Sequence, residues 1–571
     1  MTLRFDFHRQ TMQFGQPIRV IQTANIHQVL TCLSEVEQAV AQGYYAAGFI
    51  TYEAAPAFES FYVVPPQGDM PLLWFGIYQD VERQTIPQST HPSPSLNWQP
   101  LTRVEEYQQA IERIKHEIHA GNTYQTNYTI RLESQLTDVG EEGLQALYSQ
   151  LKEAQHADYC AYLDCGRFKI LSASPELFFH WQAGTIITRP MKGTAARGLD
   201  VERDLAQRDA LRQSKKDQAE NVMIVDLLRN DVSRIALLGT VEVPRLFEVE
   251  QYPTVWQMTS TVTAKTRPEV SLTEVFRALF PCGSITGAPK ASTMKLIAEL
   301  ETLPREVYCG AIGYLTPQGE ALFSVPIRTA VVDSQTGTAR YGVGGGITWD
   351  SRVASEYQEV VDKARVLQGV QQPTQLLESL LLENGHYHLQ EGHLVRLAGS
   401  ARYFRFAFSH DEAVAALRGV AVSHAEGQYK VRMLLEVDGT LQVSADPITP
   451  LITPLTASWS SVAVNSQNRL LYHKVLPRDH YPTTTLNSEH LLYNERDEIT
   501  EFVNGNVALL LDGCWLTPSL HCGLLPGTER AALLAEGKII EAVIPRSRLN
   551  EARGIAFFNS VRKWREVVWQ A

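Results

Sequence analysis

The sequence lacks a disulfide framework. Its 571 residues hold seven cysteines, an odd number with no Cys-x-x-Cys pair among them, and that usage reads as reduced thiols. It also lacks any basic run or basic amphipathic stretch of the kind that grips phosphate backbones or anionic lipid, and its formal charge is -12. Nucleic-acid and membrane partners are therefore not expected. No apolar run approaches the roughly 18 residues of a spanning helix, and the opening stretch MTLRFDFHRQ is broken by charges before an apolar signal core can form. A cytoplasmic location is the expectation. Internal repeats and low-complexity tracts are missing as well.

What is present is ordinary globular chain. A 44% hydrophobic and 20% charged composition supplies ample apolar surface, and the length exceeds what one core usually organises. Two joints stand out. Residues 87–100 are rich in Pro, Ser and Thr. Residues 369–373 break the periodicity that follows a helical pattern at 355–368, before a new start at Leu376. These place an N-terminal subdomain at 1–100, a main domain at 101–368, a linker at 369–375 and a second module at 376–571. Runs such as 321–332 read as β and patterns such as 217–228 as helix, so both modules are expected to be mixed α and β.

The most specific string is Gly-Ser-Ile-Thr-Gly-Ala-Pro-Lys at 283–290, which contributes Ser284, Thr286, Gly287, Ala288 and Lys290. It runs into a helical pattern at 291–300, with Pro289 suited to the first turn. Such a junction offers free N–H groups, hydroxyls and a helix dipole to a carboxylate or phosphate. An ordinary helix entry is the plain alternative. Gly342, Gly344, Gly345 and Gly346 follow a strand-like run, where a ligand could reach the backbone or the chain could simply bulge. Asp217 with Glu220, and Glu356 with Glu359, are each spaced i, i+3 on one helix face. Such hard oxygens suit Mg2+, although a solvated surface explains either pair by itself. Arg328 opposes the apolar face of Phe323, Val325 and Ile327 if that run is one strand; it either forks onto a carboxylate or stands exposed.

Taken in chain order, SPELF at 174–178, KGT at 192–194, AENVMIVDLLRND at 219–231, GSITGAPK, YCGAIGY at 308–314, IRT at 327–329 and GVGGG at 342–346 resemble one family, the chorismate-utilising enzymes. The likeness is dense over 101–367 and thinner through GFITYE at 48–53. It implies a two-sheet core with surrounding helices, as in anthranilate synthase component I, a chorismate substrate, and Mg2+ on the acidic pairs. Members include anthranilate synthase, isochorismate and salicylate synthases, and component I of aminodeoxychorismate synthase. Lys192 sorts among them, because the resemblance places alanine there in the anthranilate and isochorismate branches and lysine in the aminodeoxychorismate branch. In that branch the amine adds at ring C2 as the C4 hydroxyl leaves, and ammonia then attacks C4 and expels the lysine. This is covalent catalysis that splits one difficult substitution into two.

By the same resemblance Glu176 is the general acid for the departing hydroxyl. Gln125 stands where water-adding relatives keep a lysine. Tyr308, Arg328, Gly344 and Gly345 join the 283–290 loop around the substrate. Gln257 replaces the histidine of anthranilate synthases, so no role carries over to it. The Gly-x-Cys-x-Gly context of a glutaminase nucleophile does not occur, and a separate glutamine amidotransferase subunit is implied as the ammonia source.

The second module carries GHLVRL at 392–397, LYHK at 471–474, EITE at 498–501, Asn506 and LLPGT at 524–528. A lone lysine reads as a surface cation. The set as a whole resembles fold-type IV pyridoxal-phosphate enzymes over 376–571, and within them the aminodeoxychorismate lyases. That likeness implies Lys474 as the amine carrying pyridoxal phosphate, Glu501 as partner of the pyridine nitrogen, and Arg396, Asn506, Gly527 and Thr528 around the cofactor and its phosphate. Lys474 would also be the base for the α proton. Val503 stands where relatives place a hydroxyl residue, and branched-chain and D-amino acid aminotransferases share the motifs. The two resemblances together imply chorismate and ammonia giving 4-aminobenzoate and pyruvate for folate synthesis. The rivals are an anthranilate synthase-like subunit fused to an aminotransferase, and a C-terminal module that is a non-catalytic appendage.

Overall fold

The computed structural model describes residues 1–8, 10–83, 91–136, 139–369, 371–449, 454–485 and 487–570. Part of the joint at 87–100, and Val370 of the linker, lie outside the described residues. The chain forms two units, Met1–Arg197 with Gln207–Val370, and Gly198–Ala206 with Gln371–Ala571.

In the first unit the described residues form two antiparallel sheets. One runs in the order Gly287–Ala288, Gln125–Gln135, Thr338–Ile347, Thr329–Asp333, Phe168–Ser174, Tyr159–Cys165, Leu3–Phe7 and Gln10–Phe14. The other runs Met191–Ala196, Val255–Lys265, Thr185–Arg189, Leu177–Gln182, Ala321–Ser324, Ala311–Leu315, Tyr45–Ile50, Leu73–Tyr78 and Arg19–Thr23. Residues 1–100 thus supply strands to both sheets instead of a layer of their own: Leu3–Phe7 pairs with Tyr159–Cys165, and Tyr45–Ile50 with Ala311–Leu315.

The sheets face each other across a core that includes Phe5, Phe49, Trp74, Ile170 and Ile312. Helices Val104–His119 and Glu141–Gln155 cover the outer face of the first sheet. Val29–Ala41 and Leu272–Leu279 cover that of the second. The short helix Leu272–Leu279 shows why. Leu272, Val275, Phe276 and Leu279 form a buried stripe at helical spacing, and Ser271 and Glu274 close a reciprocal capping box at its start. The two-sheet core with surrounding helices implied by the resemblance is therefore present.

One strand-like run divides. Ala321–Ser324 lies in the second sheet and Thr329–Asp333 in the first, so the chain steps between layers at 325–328, where Arg328 takes φ 53°. A continuous alternation of apolar residues was compatible with one strand, but it could not reveal a change of sheet.

At the floor between the layers Arg305 is fully buried. Its Nε and Nη2 donate to the two carboxylate oxygens of Glu301 at 2.9 and 2.6 Å. The same guanidinium donates to the carbonyls of Ile285 and Asn127, both at 2.8 Å. Burial alone would raise the Glu301 pKa, and the adjacent Arg305 instead holds it below the ordinary value.

In the second unit a five-stranded sheet built on Gln375–Glu383, Gln428–Glu436 and Leu441–Pro447 packs against helices Gln390–Phe404 and His410–Ser423. An eight-stranded sheet, with Asn506–Leu511 and Ile555–Asn559 near its centre, carries helix Thr528–Ala535 against it through Leu533. Among the described residues no helix is long and apolar enough to cross a membrane.

Removing one member of a buried ion pair strands the other in low dielectric. Arg305→Met is accordingly expected to destabilise the first unit by ~3–5 kcal/mol in urea unfolding, with Arg305→Met/Glu301→Leu recovering part of the loss. A single variant as stable as wild type would refute that role for the pair.

Candidate functional site

Each unit contains a large cavity. That of the first unit has a volume of about 320 Å3 and is lined by Lys192, Glu176, Ser284, Tyr308, Arg328, Gly342, Gly344, Gly345 and Gly346, together with four acids considered below.

Lys192 reaches the cavity because its strand is irregular. Register against Val255–Lys265 shifts between Met191 and Thr194, and Gly193 takes φ 93°, a bulge that turns the lysine out of the ladder. Gln257 fastens this bulge: its Nε2 donates to the Gly193 carbonyl at 2.8 Å, and its Oε1 accepts from Thr194 Oγ1 at 3.0 Å. Burial pushes the Lys192 pKa down, against the pull of Glu220. Glu176 faces the same space. Burial raises it to about 7, opposed by the Ser284 hydroxyl, which donates to Glu176 Oε1 at 2.5 Å.

Both amide atoms of Gln125 are buried without a hydrogen-bond partner. Unmet polar atoms in a buried site are costly unless a ligand meets them. Gly346 makes the arrangement possible, since a Cβ there would stand 1.9 Å from Gln125 Nε2 and 3.1 Å from Lys192 Nζ. A side chain at this position would occupy the space between them.

Asp217 and Glu220 come from helix Lys215–Ser233, and Glu356 and Glu359 from helix Val353–Ala364; all four line the cavity. Burial raises Glu220 to about 6, with Asp217 and Glu356 adding to the rise. It also raises Glu356, where Glu359 is the like-charged neighbour. Lys363 forms an ion pair with Glu359 and donates to the Gly344 carbonyl at 2.8 Å. The donor set has the hard-oxygen chemistry that Mg2+ prefers, while among the described residues no three metal-ligating side chains converge.

The rest of the 283–290 loop lies elsewhere. Gly287 and Ala288 pair with Thr126 and Gln125 as a short strand, in which the Ala288 carbonyl accepts from the Tyr124 N–H at 2.8 Å. Thr286 donates its hydroxyl to the Cys282 carbonyl at 3.1 Å. The helix is Lys290–Leu300, with Pro289 as its cap and not in its first turn. Lys290 turns inward, to Asp231 at 2.9 Å. Of this loop, Ser284 and Ile285 line the cavity.

The cavity of the second unit is about 520 Å3 and is lined by Lys474, Glu501, Arg396, Asn506, Gly527, Thr528 and Val503 among others. Burial, reinforced by Arg478 and Arg396, pushes Lys474 down to about 7. Burial raises Glu501 to about 7. Tyr481 Oη donates to Glu501 Oε1 at 2.8 Å, the Leu525 N–H donates to the same oxygen at 3.2 Å, and Asn506 Nδ2 donates to Oε2 at 3.3 Å.

Arg396 is held by Glu378, to which its Nε and Nη2 donate at 2.8 and 2.7 Å. Burial would raise Glu378, and Arg396 and His393 instead pull it to about 2. His393 bridges Glu378 at 2.6 Å and Thr528 Oγ1 at 3.2 Å. Thr528 opens helix Thr528–Ala535, whose first-turn N–H groups add to Arg396 as anion donors. A Cβ on Gly527 would stand 2.0 Å from Asn506 Oδ1, so the turn into this helix is shaped by a missing side chain. These residues fit pyridoxal phosphate: an amine poised near neutrality, a buried carboxyl that a cationic ring nitrogen would ionise, and a guanidinium beside a helix N-terminus. Glu378 and Tyr481 went unnoticed in the sequence because an isolated Glu and Tyr carry no motif.

Residues 6–369 match the family described as chorismate binding enzyme, and residues 375–568 match amino-transferase class IV. Aminodeoxychorismate synthase component 1 of Klebsiella aerogenes is 41% identical over 283 residues, which cover 50% of this chain and 61% of that protein. The chain thus spans less than two thirds of that relative's length. The protein of the same name from Escherichia coli strain K12 is 37% identical over 344 residues, 56% of this chain and 75% of that one. Among solved structures, anthranilate synthase component I from Streptococcus pneumoniae TIGR4 aligns with a TM-score of 0.55 at 25% identity, covering 64% of this chain and 92% of that one. Since the family match runs over more than half of its length, the chain belongs to the chorismate binding enzymes.

Proposed function

We propose that the first unit aminates chorismate to 4-amino-4-deoxychorismate and that the second eliminates pyruvate from it, leaving 4-aminobenzoate for folate synthesis in the cytoplasm. One observation carries the reading. Lys192, its pKa lowered by burial, shares a cavity with Glu176, a carboxyl that titrates at about 7. Burial thus favours the uncharged form of both the amine and the acid, which is what displacement of a hydroxyl requires.

In this reading Lys192 Nζ bonds to ring C2 while the C4–O bond breaks, and Glu176 protonates the departing hydroxyl to water. Ammonia from a separate amidotransferase subunit then bonds to C4 as the C2–N bond breaks, and Lys192 is released. Gln125, with its two unpartnered amide atoms, orients the ring substituents. Mg2+ would be held by one or two of Glu220, Glu356 and Glu359 with waters and a substrate carboxylate completing its shell, and would supply positive charge for that carboxylate.

In the second unit pyridoxal phosphate, when bound, supplies an electron sink. Lys474 holds and moves a proton at its Nζ, for which a pKa of about 7 is suited. Glu501 would pair with the ring nitrogen, and Arg396 with Thr528 would hold the phosphate.

Purified protein given chorismate, ammonium and Mg2+ should yield 4-aminobenzoate by chromatography, and Lys192→Ala should lower the rate of chorismate loss by at least ~100-fold. Anthranilate as the main product would sink the proposal. The visible absorbance of a lysine-bound cofactor should be present in wild type and absent in Lys474→Ala. Its absence from wild type would favour a non-catalytic appendage. Ser284→Ala removes the hydroxyl that favours ionised Glu176, so the alkaline loss of synthase kcat/KM, set by a group near 7, should move to higher pH by roughly half to one unit. An unchanged or downward-shifted limb would separate Glu176 from the proton transfer.

A further inference from the structure

The chain is acidic overall, with a formal charge of -12, yet the cavity of its second unit is lined by seven basic side chains against three acidic ones. Two of the basic groups, Lys474 and Arg396, are accounted for by the cofactor reading. Lys430, Arg432, Arg478, Arg562 and Arg565 are not.

Their placement follows from the fold. Lys430 and Arg432 stand two residues apart on strand Gln428–Glu436 and so project from one face of the sheet. Arg432 is paired across the ladder with Ser379, another residue of the cavity wall. Arg562 follows the strand Ile555–Asn559 at the turn into Lys563–Trp569, with Ser560 donating to the Ser379 carbonyl at 3.4 Å. Arg562 Nη1 donates to the Thr449 carbonyl at 2.9 Å. Arg478 donates to the Val503 carbonyl at 2.5 Å and to Asn504 Oδ1 at 3.3 Å. These acceptors are neutral. Among the described residues no ion pair joins Lys430, Arg432, Arg478 or Arg562 to a carboxylate.

Burial depresses Lys430, and the positive charges of Arg432, Arg562 and Arg478 depress it further, with Asp446 opposing. Gathering Lys430, Arg432, Arg478 and Arg562 around one cavity costs self-repulsion that a bound anion relieves. The cofactor phosphate has its own donors at Arg396 and the helix Thr528–Ala535, so the surplus charge is addressed to something else.

We propose that Lys430, Arg432 and Arg562 form a carboxylate subsite, so that the second cavity selects a ring-sized dicarboxylate over a monocarboxylate. This rests on the proposed lyase reading and deepens it, because 4-amino-4-deoxychorismate carries two carboxylates and an ordinary amino acid donor carries one. One carboxylate lies on the ring and the other on the enolpyruvyl arm. With the amino end of the substrate at Lys474, the far carboxylate faces the basic wall.

The test is equilibrium binding of two unreactive probes, isophthalate and benzoate, to the cofactor-loaded protein by calorimetry at low and high salt. Isophthalate should bind at least about tenfold more tightly than benzoate at low salt, with the advantage shrinking as salt rises. Arg562→Met and Lys430→Met should each weaken isophthalate by about tenfold, the order of a lost charge-assisted contact, while changing benzoate by less than about twofold. The visible cofactor absorbance should be unchanged in both variants, which reports that the cavity is intact. Equal affinities in wild type, or variants that keep the preference, would overturn the subsite. A wild-type protein without cofactor absorbance would instead remove the lyase reading beneath it, so the two failures are distinguishable.

Discussion

The buried pair of Arg305 and Glu301 is the constraint on which the first cavity depends. Neither charge is tolerable alone in a low-dielectric interior, so each fixes the other. The guanidinium then has donors left over, and it places them on the carbonyls of Ile285 and Asn127. One belongs to the turn that carries Ser284, the other to the strand that carries Gln125. On a third side the Arg305 N–H donates to Glu53 at 2.7 Å, and the guanidinium lies 4.6 Å from the centre of the Tyr52 ring. A residue that touches no substrate thereby sets the distance between the acid's hydroxyl partner and the unpartnered amide.

Burial lowers the pKa of both lysines, among neighbours of opposite charge. Around Lys192 the neighbours are mainly acidic: Glu220, Glu176 and Glu359 all favour the ammonium, and burial prevails over them. Around Lys474 burial and two arginines act in the same direction. The difference has a chemical consequence. The acids near Lys192 oppose its deprotonation in part, whereas the cations near Lys474 favour it.

The motifs that carried the family resemblance were legible because each bears its chemistry on adjacent residues: Glu176, Lys192 and the glycines of 342–346 all line the first cavity, and Lys474 and Glu501 the second. Residues that act through a distant partner were not. Lys363 gains meaning only beside Glu359 and the Gly344 carbonyl, and Gln257 only across the Gly193 bulge. The 283–290 string runs into the helix Lys290–Leu300, as its proline and the pattern that follows imply. Pairing of Gly287 and Ala288 with the strand Gln125–Gln135 is a tertiary fact, and so is the burial of Lys290 against Asp231. Mixed α and β content followed from periodicity, whereas strand order did not, since neighbours such as Tyr45–Ile50 and Ala311–Leu315 lie far apart in sequence.

On the proposed chemistry both cavities receive a dicarboxylate, and their linings solve that problem differently. The first sets Glu176, Asp217, Glu220, Glu356 and Glu359 beside Lys192, Lys216, Arg328 and Lys363, so its cations stand among carboxylates. The raised pKa values of Glu220 and Glu356 express burial and, in part, the repulsion among these acids. In the proposed reaction Mg2+ would offset the acids of this wall as a substrate carboxylate enters. Lys363, already paired with Glu359, offsets them in part. The second cavity carries its surplus of positive charge on side chains and needs no ion to accept the same kind of substrate. On that proposal Mg2+ would serve the first reaction, where acids from the helices Lys215–Ser233 and Val353–Ala364 line one cavity, while the second would meet its substrate with side-chain cations.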